Sequence, residues 1–312
     1  MMRTLVTGGA GFIGSNIVHQ LVACGEAVRV LDNFSTGRRE NLAGVEEKIE
    51  LIEGDLCDLG TCQHAVKGMD YILHHAAIPS VQRSVDDPFT SNDANISGTL
   101  NLLIAARDAG VRRVVYASSS AAYGDSPTLP KHEDMIPRPK SPYAVSKLSA
   151  EYYCQVFTEV YGLETVSLRY FNVFGPRQDP TSQYAAVIPL FVTAMLAGES
   201  PVIYGDGQQS RDFTYVSNNV EASLLAATRP GIAGQIFNIA CGRRYTLLDL
   251  IAILNDILGT NVQPVFAPCR PGDIQHSLAD IRRAQERMAY TVGVDFEAGL
   301  ERTIAWYRDQ RT

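Results

Sequence analysis

Short apolar runs and longer amphipathic stretches alternate through the first half of the chain. RTLVTG (3–8), AVRVLD (27–32), IELIEG (49–54), YILHHA (71–76) and RRVVYAS (112–118) are rich in Val, Ile, Leu and Tyr, which predicts strands. Between them, FIGSNIVHQLVA (12–23) and TSNDANISGTLNLLIAARDAG (90–110) repeat apolar positions at helical spacing. A helix at about 142–161 and a strand at ETVSLRY (164–170) continue the series. Strands alternating with helices predict an α/β fold, a doubly wound parallel sheet. From about residue 175 the texture changes. Pro and Gly become frequent in GPRQDP, GESP, YGDGQQ, RPGIAG and PCRPGD, and the alternation fades. We expect one α/β domain over 1–174 and a smaller C-terminal α/β lobe over 175–312. No clean linker separates them, so the lobe is expected to be interleaved with late sheet strands.

The turn after the first strand reads TGGAGFIG (7–14). Gly8, Gly11 and Gly14 are spaced G-x-x-G-x-x-G, behind a strand and ahead of a helical pattern, the setting of a Rossmann-type dinucleotide turn. The first glycine permits the tight turn, the second lets backbone approach a diphosphate, and the third allows close helix–strand packing. Free N–H groups and the helix dipole favour an anion there. Glycine turns also serve as plain connections, so Asp32, 21 residues after Gly11, adds weight. A carboxylate at the end of the second strand accepts from both ribose hydroxyls and repels a 2′-phosphate, which favours NAD over NADP. Arg38 and Arg39 are the nearby features that leave an opening for NADP. Asp55 follows the third strand; it either meets the adenine edge or caps the next turn, and the sequence supports both equally.

Composition narrows the setting. The 312 residues are 46% hydrophobic, enough for a sizeable core, and the formal charge of −7 argues against nucleic acid or an anionic membrane as partner. There is no run of about 18 apolar residues, so no membrane span is expected. The start, MMRTLVTGG, has no leader-like apolar segment. The six cysteines (24, 57, 62, 154, 241 and 269) form no C-x-x-C pair, so reduced thiols, a cytoplasmic location and no metal site are expected. His74 and His75 are neighbours on a strand and point to opposite faces, which disfavours joint metal binding.

SPYAVSK (141–147) opens the next helix. Pro142 suits a first turn, and Tyr143 and Lys147 at i and i+4 share one face. Alone, this is an ordinary amphipathic helix. Beside a dinucleotide turn it is a candidate acid–base, a tyrosine whose pKa a neighbouring ammonium lowers.

Together, T-G-x-x-G-x-x-G, S-S-S before Y-G at 118–124 and Y-x-x-x-K at 143 resemble the extended short-chain dehydrogenase/reductase family, and more closely its nucleotide-sugar 4-epimerases. HHAA (74–77), LRYFNVFGPRQDP (168–180), YAAVIP (184–189), SRDFTYV (210–216) and RPGDIQHSLAD (270–280) extend the resemblance over nearly the whole chain. It implies that Tyr143 takes the proton of the sugar 4-hydroxyl while the 4-hydride passes to NAD, giving a 4-keto intermediate. It also implies that Lys147 holds the nicotinamide ribose, and that Ser119 bonds the 4-oxygen and relays its proton, with Ser120 able to stand in. For NAD the resemblance adds Phe12, Ile13, Asn33, Ser35, Thr36, Gly37, Leu56, Ala76, Ala77, Asn95 and Tyr170. For a UDP-sugar it adds Asn172 and Arg211, Val187 and Tyr204 near the uracil, and Arg270 and Asp273 near the diphosphate and ribose. It further implies a homodimer joined through the helices at about 89–109 and 142–161.

The same scaffold serves several reactions, so residues must discriminate. Related dehydratases carry an Asp-Glu pair after the catalytic hydroxyl and decarboxylases a glutamate; here Ser120 and Ala121 can do neither job. No cysteine stands where a sugar 6-dehydrogenase needs its nucleophile. Ser277 replaces the bulky tyrosine of galactose-type epimerases, leaving room for an N-acetyl group, although it also suits a helix start. Pro79 stands where those enzymes usually present a lysine. The expected substrates are UDP-GlcNAc and UDP-GalNAc, with UDP-Glc and UDP-Gal as a second pair. UDP-glucuronate epimerisation and a non-catalytic NAD-binding regulator are the alternatives.

Overall fold

The computed structural model describes residues 1–181, 186–269 and 275–310. Its strands are Arg3–Thr7 (β1), Ala27–Asp32 (β2), Ile49–Glu53 (β3), Tyr71–His74 (β4), Arg113–Ser119 (β5), Glu164–Tyr170 (β6), Val173–Phe174 (β7), Val202–Tyr204 (β8), Ser210–Arg211 (β9), Thr214–Tyr215 (β10), Ile236–Ile239 (β11), Tyr245–Thr246 (β12) and Val265–Ala267 (β13). Seven of them form the central sheet in the order β11-β6-β5-β4-β1-β2-β3. Every pairing in it is parallel. The chain winds outward from β1 in one direction through β2 and β3, and in the other through β4, β5 and β6. The order reverses between β1 and β4, and a crevice opens there above the carboxyl ends of the strands.

The helices are Phe12–Ala23 (α1), Leu59–Val66 (α2), Val81–Asp86 (α3), Pro88–Asn92 (α4), Gly98–Asp108 (α5), Pro142–Tyr161 (α6), Val187–Leu196 (α7), Val216–Thr228 (α8), Leu247–Leu258 (α9), Arg282–Met288 (α10) and Phe296–Asp309 (α11). In β5, Val114 and Tyr116 pack with α2, α5 and α6, whereas Val115 and Ala117 pack with α1, α8 and α10. This alternation shows a sheet covered on both faces, which is why its central strands are almost wholly apolar. A third core holds Phe174, Phe191, Phe213, Leu250, Phe296 and Leu300 between α7, α9 and α11.

Two features depart from the simple pattern. The interleaving is specific: β11 joins the sheet beside β6, and α8 covers one of its faces, although both lie beyond residue 175. The helix expected over 90–110 is broken, because Asp93–Ser97 form a π-helical turn between α4 and α5. That turn brings Asn95 inward. Its Oδ1 accepts from Ile78 N at 2.8 Å, and its Nδ2 donates to Ser146 Oγ at 3.0 Å. Such turns recur at functional sites.

Candidate active site

A cleft of about 1290 Å³ runs along the crevice above the sheet. The glycine turn forms one wall. Gly8 has φ +67°, and a Cβ there would stand 2.6 Å from Ala76 N. A Cβ on Gly14 would stand 2.1 Å from Gly8 O. Gly11 is different: within the protein its Cβ would meet only Gly8 O, at 3.1 Å. The space saved at Gly11 therefore faces the cleft, as a diphosphate-binding turn requires.

Asp32 is buried where β2 ends. Its oxygens accept from Ala10 N and Phe34 N, both at 2.9 Å, and retain lone pairs for ribose hydroxyls. Burial raises its pKa, against the pull of those two N–H groups. Asp55 caps the next turn, accepting from Cys57 N at 2.8 Å, and also accepts from Asn33 Nδ2 at 2.8 Å while lining the cleft. Neither nearby arginine is a free cation. Arg38 pairs with Asp179 at 2.6 Å and donates to Thr181 Oγ1, bridging two walls of the cleft. Arg39 pairs with Glu53 and lies 4.1 Å over the Phe34 ring. These residues fit NAD and supply no uncommitted arginine for a 2′-phosphate.

Phe12, Ile13, Asn33, Ser35, Thr36, Gly37, Leu56, Ala76, Ala77 and Tyr170 also line the cleft. Asn95 does not. Its amide bonds Ile78 and Ser146 behind the wall and holds Ile78, which lines the cleft. His74 and His75 support the same wall. His74 is buried between the hydroxyls of Thr7 and Thr99. His75 Nε2 lies 3.1 Å from Tyr170 Oη, which in turn meets Ser223 Oγ at 2.8 Å.

β5 and α6 bring the chemistry to the cleft. Ser141 caps α6 by accepting from Ala144 N at 3.1 Å, and Pro142 occupies the first turn. Tyr143 N donates to buried Ser84 Oγ at 2.9 Å, which anchors the tyrosine to α3. Lys147 lies one turn on, and Ser119, Ser120, Tyr143 and Lys147 share the cleft wall. In the protein alone the Tyr143 pKa does not show the expected lowering, to which the positive charge of bound NAD is to contribute. Among protein groups burial dominates and raises it, while the hydrogen bond with Ser119 pulls the other way. Lys147 Nζ lies 4.7 Å over the Tyr116 ring, and burial pushes its pKa down to about 7. At neutral pH such a lysine carries only part of a positive charge.

On the substrate side, Asn172, Arg211 and Ser277 line the cleft. Arg211 Nη1 donates to Ser210 O at 3.0 Å and to Gln275 O at 3.2 Å. Val187 opens α7 and packs against the third core, and Tyr204 ends β8 on the lobe surface; both stand outside the residues that line this cleft. Arg270 and Asp273 lie outside the described residues. The sequence reading assigned no role to Arg83 or Arg177, which both line the cleft. Arg177 is held by Asn16 Oδ1 at 2.6 Å beside α1 and has φ +68°. The GPRQDP run was the available signal for it.

A parallel sheet with a dinucleotide turn at its switch point, beside a serine, a tyrosine and a lysine in one cleft, defines an extended short-chain dehydrogenase/reductase. The chain belongs to the NAD dependent epimerase/dehydratase family, whose sequence model matches residues 4–240. It is 40% identical over 313 residues to a UDP-glucose 4-epimerase of Mycolicibacterium smegmatis, covering 99% of each chain. Among solved structures it is similar to a UDP-N-acetylglucosamine 4-epimerase from Methanobrevibacter ruminantium in complex with UDP-N-acetylmuramic acid. That match has a TM-score of 0.95 and 44% identity, and covers 99% of each chain. A UDP-glucose 4-epimerase with UDP-glucose from Thermotoga maritima matches with a TM-score of 0.95 and 38% identity over the full length of both chains.

Proposed function

We propose that this protein inverts C4 of UDP-sugars, with UDP-GlcNAc and UDP-GalNAc as the preferred pair and UDP-Glc and UDP-Gal as the second. One observation carries the reading: Ser119, Tyr143 and Lys147 share a cleft with the NAD turn, and Ser120 and Ala121 provide no carboxylate for elimination. Bound NAD supplies a reversible hydride acceptor. Tyr143 takes the proton from the 4-hydroxyl and returns one to the 4-oxygen after the ketosugar has turned its other face. Ser119 holds that oxygen and shares the phenol's proton. Lys147, with no competing anion paired to it among the described residues, is available to the nicotinamide ribose. Arg211 provides a planar fork suited to diphosphate. Ser277 puts only a hydroxymethyl group into the cleft and leaves width for an acetamido substituent. The likeness to both a UDP-GlcNAc and a UDP-glucose epimerase supports two substrate pairs.

Arg83 favours a second reading. It lines the cleft from α3 without an ion pair among the described residues, and a C6 carboxylate would meet it well. The test is product analysis after incubation with UDP-GlcNAc, UDP-Glc and UDP-GlcA in turn. Inversion of UDP-GlcA alone would replace the first reading with the second, and no inversion of any sugar would defeat both.

We also propose a homodimer in a reducing, cytoplasmic setting. Val145, Tyr152, Val156 and Val160 form an exposed stripe along α6, near exposed Val81, Val85 and Phe89 on α3 and α4. All six cysteines are free.

A further inference from the structure

Asp212 follows Arg211 on the link between β9 and β10 and is completely buried. Among the described residues no cation pairs with it. Its Oδ1 accepts from Cys241 N at 3.0 Å, and its Oδ2 accepts from Gly242 N at 3.1 Å and Ala279 N at 3.2 Å. The first two donors follow β11 of the central sheet. The third belongs to the segment that carries Ser277. The main-chain oxygen of Asp212 accepts from Asn172 Nδ2 at 3.2 Å. A single buried residue thus touches Asn172, adjoins Arg211 and holds the backbone two residues from Ser277. These are three cleft-lining residues from three separate parts of the chain.

Burying a carboxylate costs free energy that only filled acceptors offset. An uncharged side chain would fill the space at lower cost, so the charge is explained by what its oxygens gather. We propose that Asp212 is a positioning residue for the UDP-sugar: it draws segment 275–281 onto the end of the sheet and sets the spacing of Arg211, Asn172 and Ser277. The segment is also held by Ser277 N to Ser210 O and Ser210 N to Gln275 O, both at 2.9 Å, by backbone bonds to Lys131, and by Asn238 Nδ2 of β11 to Asp280 O at 3.2 Å; Asp212 adds the link from Ala279 to the backbone that follows β11. This assignment rests on the reading of the cleft as a UDP-sugar site.

Burial pushes Asp212 up to about 7, against the backbone N–H groups of Ala279, Cys241, Gly242 and Arg243. A protonated carboxyl is the weaker acceptor, so the segment loosens and substrate affinity falls as pH drops through that value. The titratable neighbours do not titrate there: Cys241 is pushed up to about 12 and Tyr290 is also raised, both by burial. Arg211 and Arg243 adjoin the site in sequence. His276 lies on the tethered segment, with Nδ1 2.9 Å from Ser210 Oγ, and needs its own control.

The experiment is steady-state kinetics of the NAD-bound enzyme on UDP-GlcNAc and UDP-Glc, from about pH 5.5 to 8.5, for wild type, Asp212→Asn and His276→Gln. Wild-type KM should rise on the acid side of the Asp212 titration. At the alkaline end Asp212→Asn should raise KM about tenfold, as expected for one lost charge-assisted hydrogen bond, with kcat changed by less than about threefold. It should keep its NAD and lose the pH dependence of KM, whereas His276→Gln should retain that dependence. A wild-type KM that stays flat with pH overturns the proposal, and this measurement needs no variant to fold. So does an Asp212→Asn enzyme that loses kcat and NAD at unchanged KM, or a His276→Gln enzyme whose KM no longer varies with pH. Turnover with a flat KM refutes this assignment alone; absence of turnover with every UDP-sugar refutes the functional reading and this assignment with it.

Discussion

Tyr143 and Lys147 both face the cleft from a buried helix face, and burial acts on each in the direction that disfavours its charge. Replacing Tyr143 with Phe removes only the hydroxyl, so turnover should fall by about 10²–10⁴-fold with NAD still bound. Product formation and extraction of the bound nucleotide check this; near-normal turnover would remove Tyr143 from the mechanism. Lys147 makes a separate prediction about stability in nucleotide-free protein. Its pKa is 10.5 when unfolded and about 7 when folded, so between those values the unfolded chain binds more protons. Stability must then rise with pH across that window, and the full penalty applies below it. Lys147→Met does not titrate, so its melting temperature should exceed that of wild type most clearly near pH 6, by an amount that shrinks as pH rises towards about 10. A constant difference would show that Lys147 is not desolvated. At Ser277 the argument is steric. Ser277→Tyr adds a rigid ring to a formed cleft, an overpacking worth about 1–3 kcal/mol or more. Conversion of UDP-GlcNAc should fall tens-fold while UDP-Glc is spared; equal losses would mean general damage.

The elements show how much the sequence disclosed. All six strands expected in the first part of the chain are present, because each is a short run rich in Val, Ile, Leu or Tyr. The glycine turn and Asp32 were readable for the same reason: their function depends on spacing within one crossover unit. Where Val187 and Tyr204 stand depends on how the small lobe packs, which local spacing does not encode. The burial that raises the Tyr143 pKa in the protein alone was not legible, because i, i+4 spacing reveals a shared face but not its depth. The π-helical turn at 93–97 was invisible, since its apolar spacing still resembles an α-helix; only the need of Ile78 for a partner explains it. Asn95→Leu should therefore strand the backbone groups of Ile78 and cost about 1–3 kcal/mol. A urea midpoint and NAD affinity measured together check this, and both should fall, because Ile78 lines the cleft. An unchanged midpoint would make the turn incidental.

At the scale of the molecule, the exposed stripe on α6 is an apolar face that the described fold leaves uncovered. Light scattering at micromolar concentration should give the mass of two chains, and a charge placed at Val156 should shift it towards one; a strict monomer in wild type would leave the stripe unexplained. The described helices include none long and apolar enough to cross a membrane. The bridge from Arg38 to Asp179 has a different reach. It ties the turn after β2 to the segment after β7 across the mouth of the cleft. Two opposite half-reactions that cancel leave no reason to exchange the dinucleotide between turnovers. We expect a clasp there to slow the release of NAD, so that the dinucleotide behaves as a part installed at assembly rather than a reagent drawn from the pool, and Arg38→Ala should release it faster. A cell poor in NAD while making this protein is then expected to accumulate inert copies.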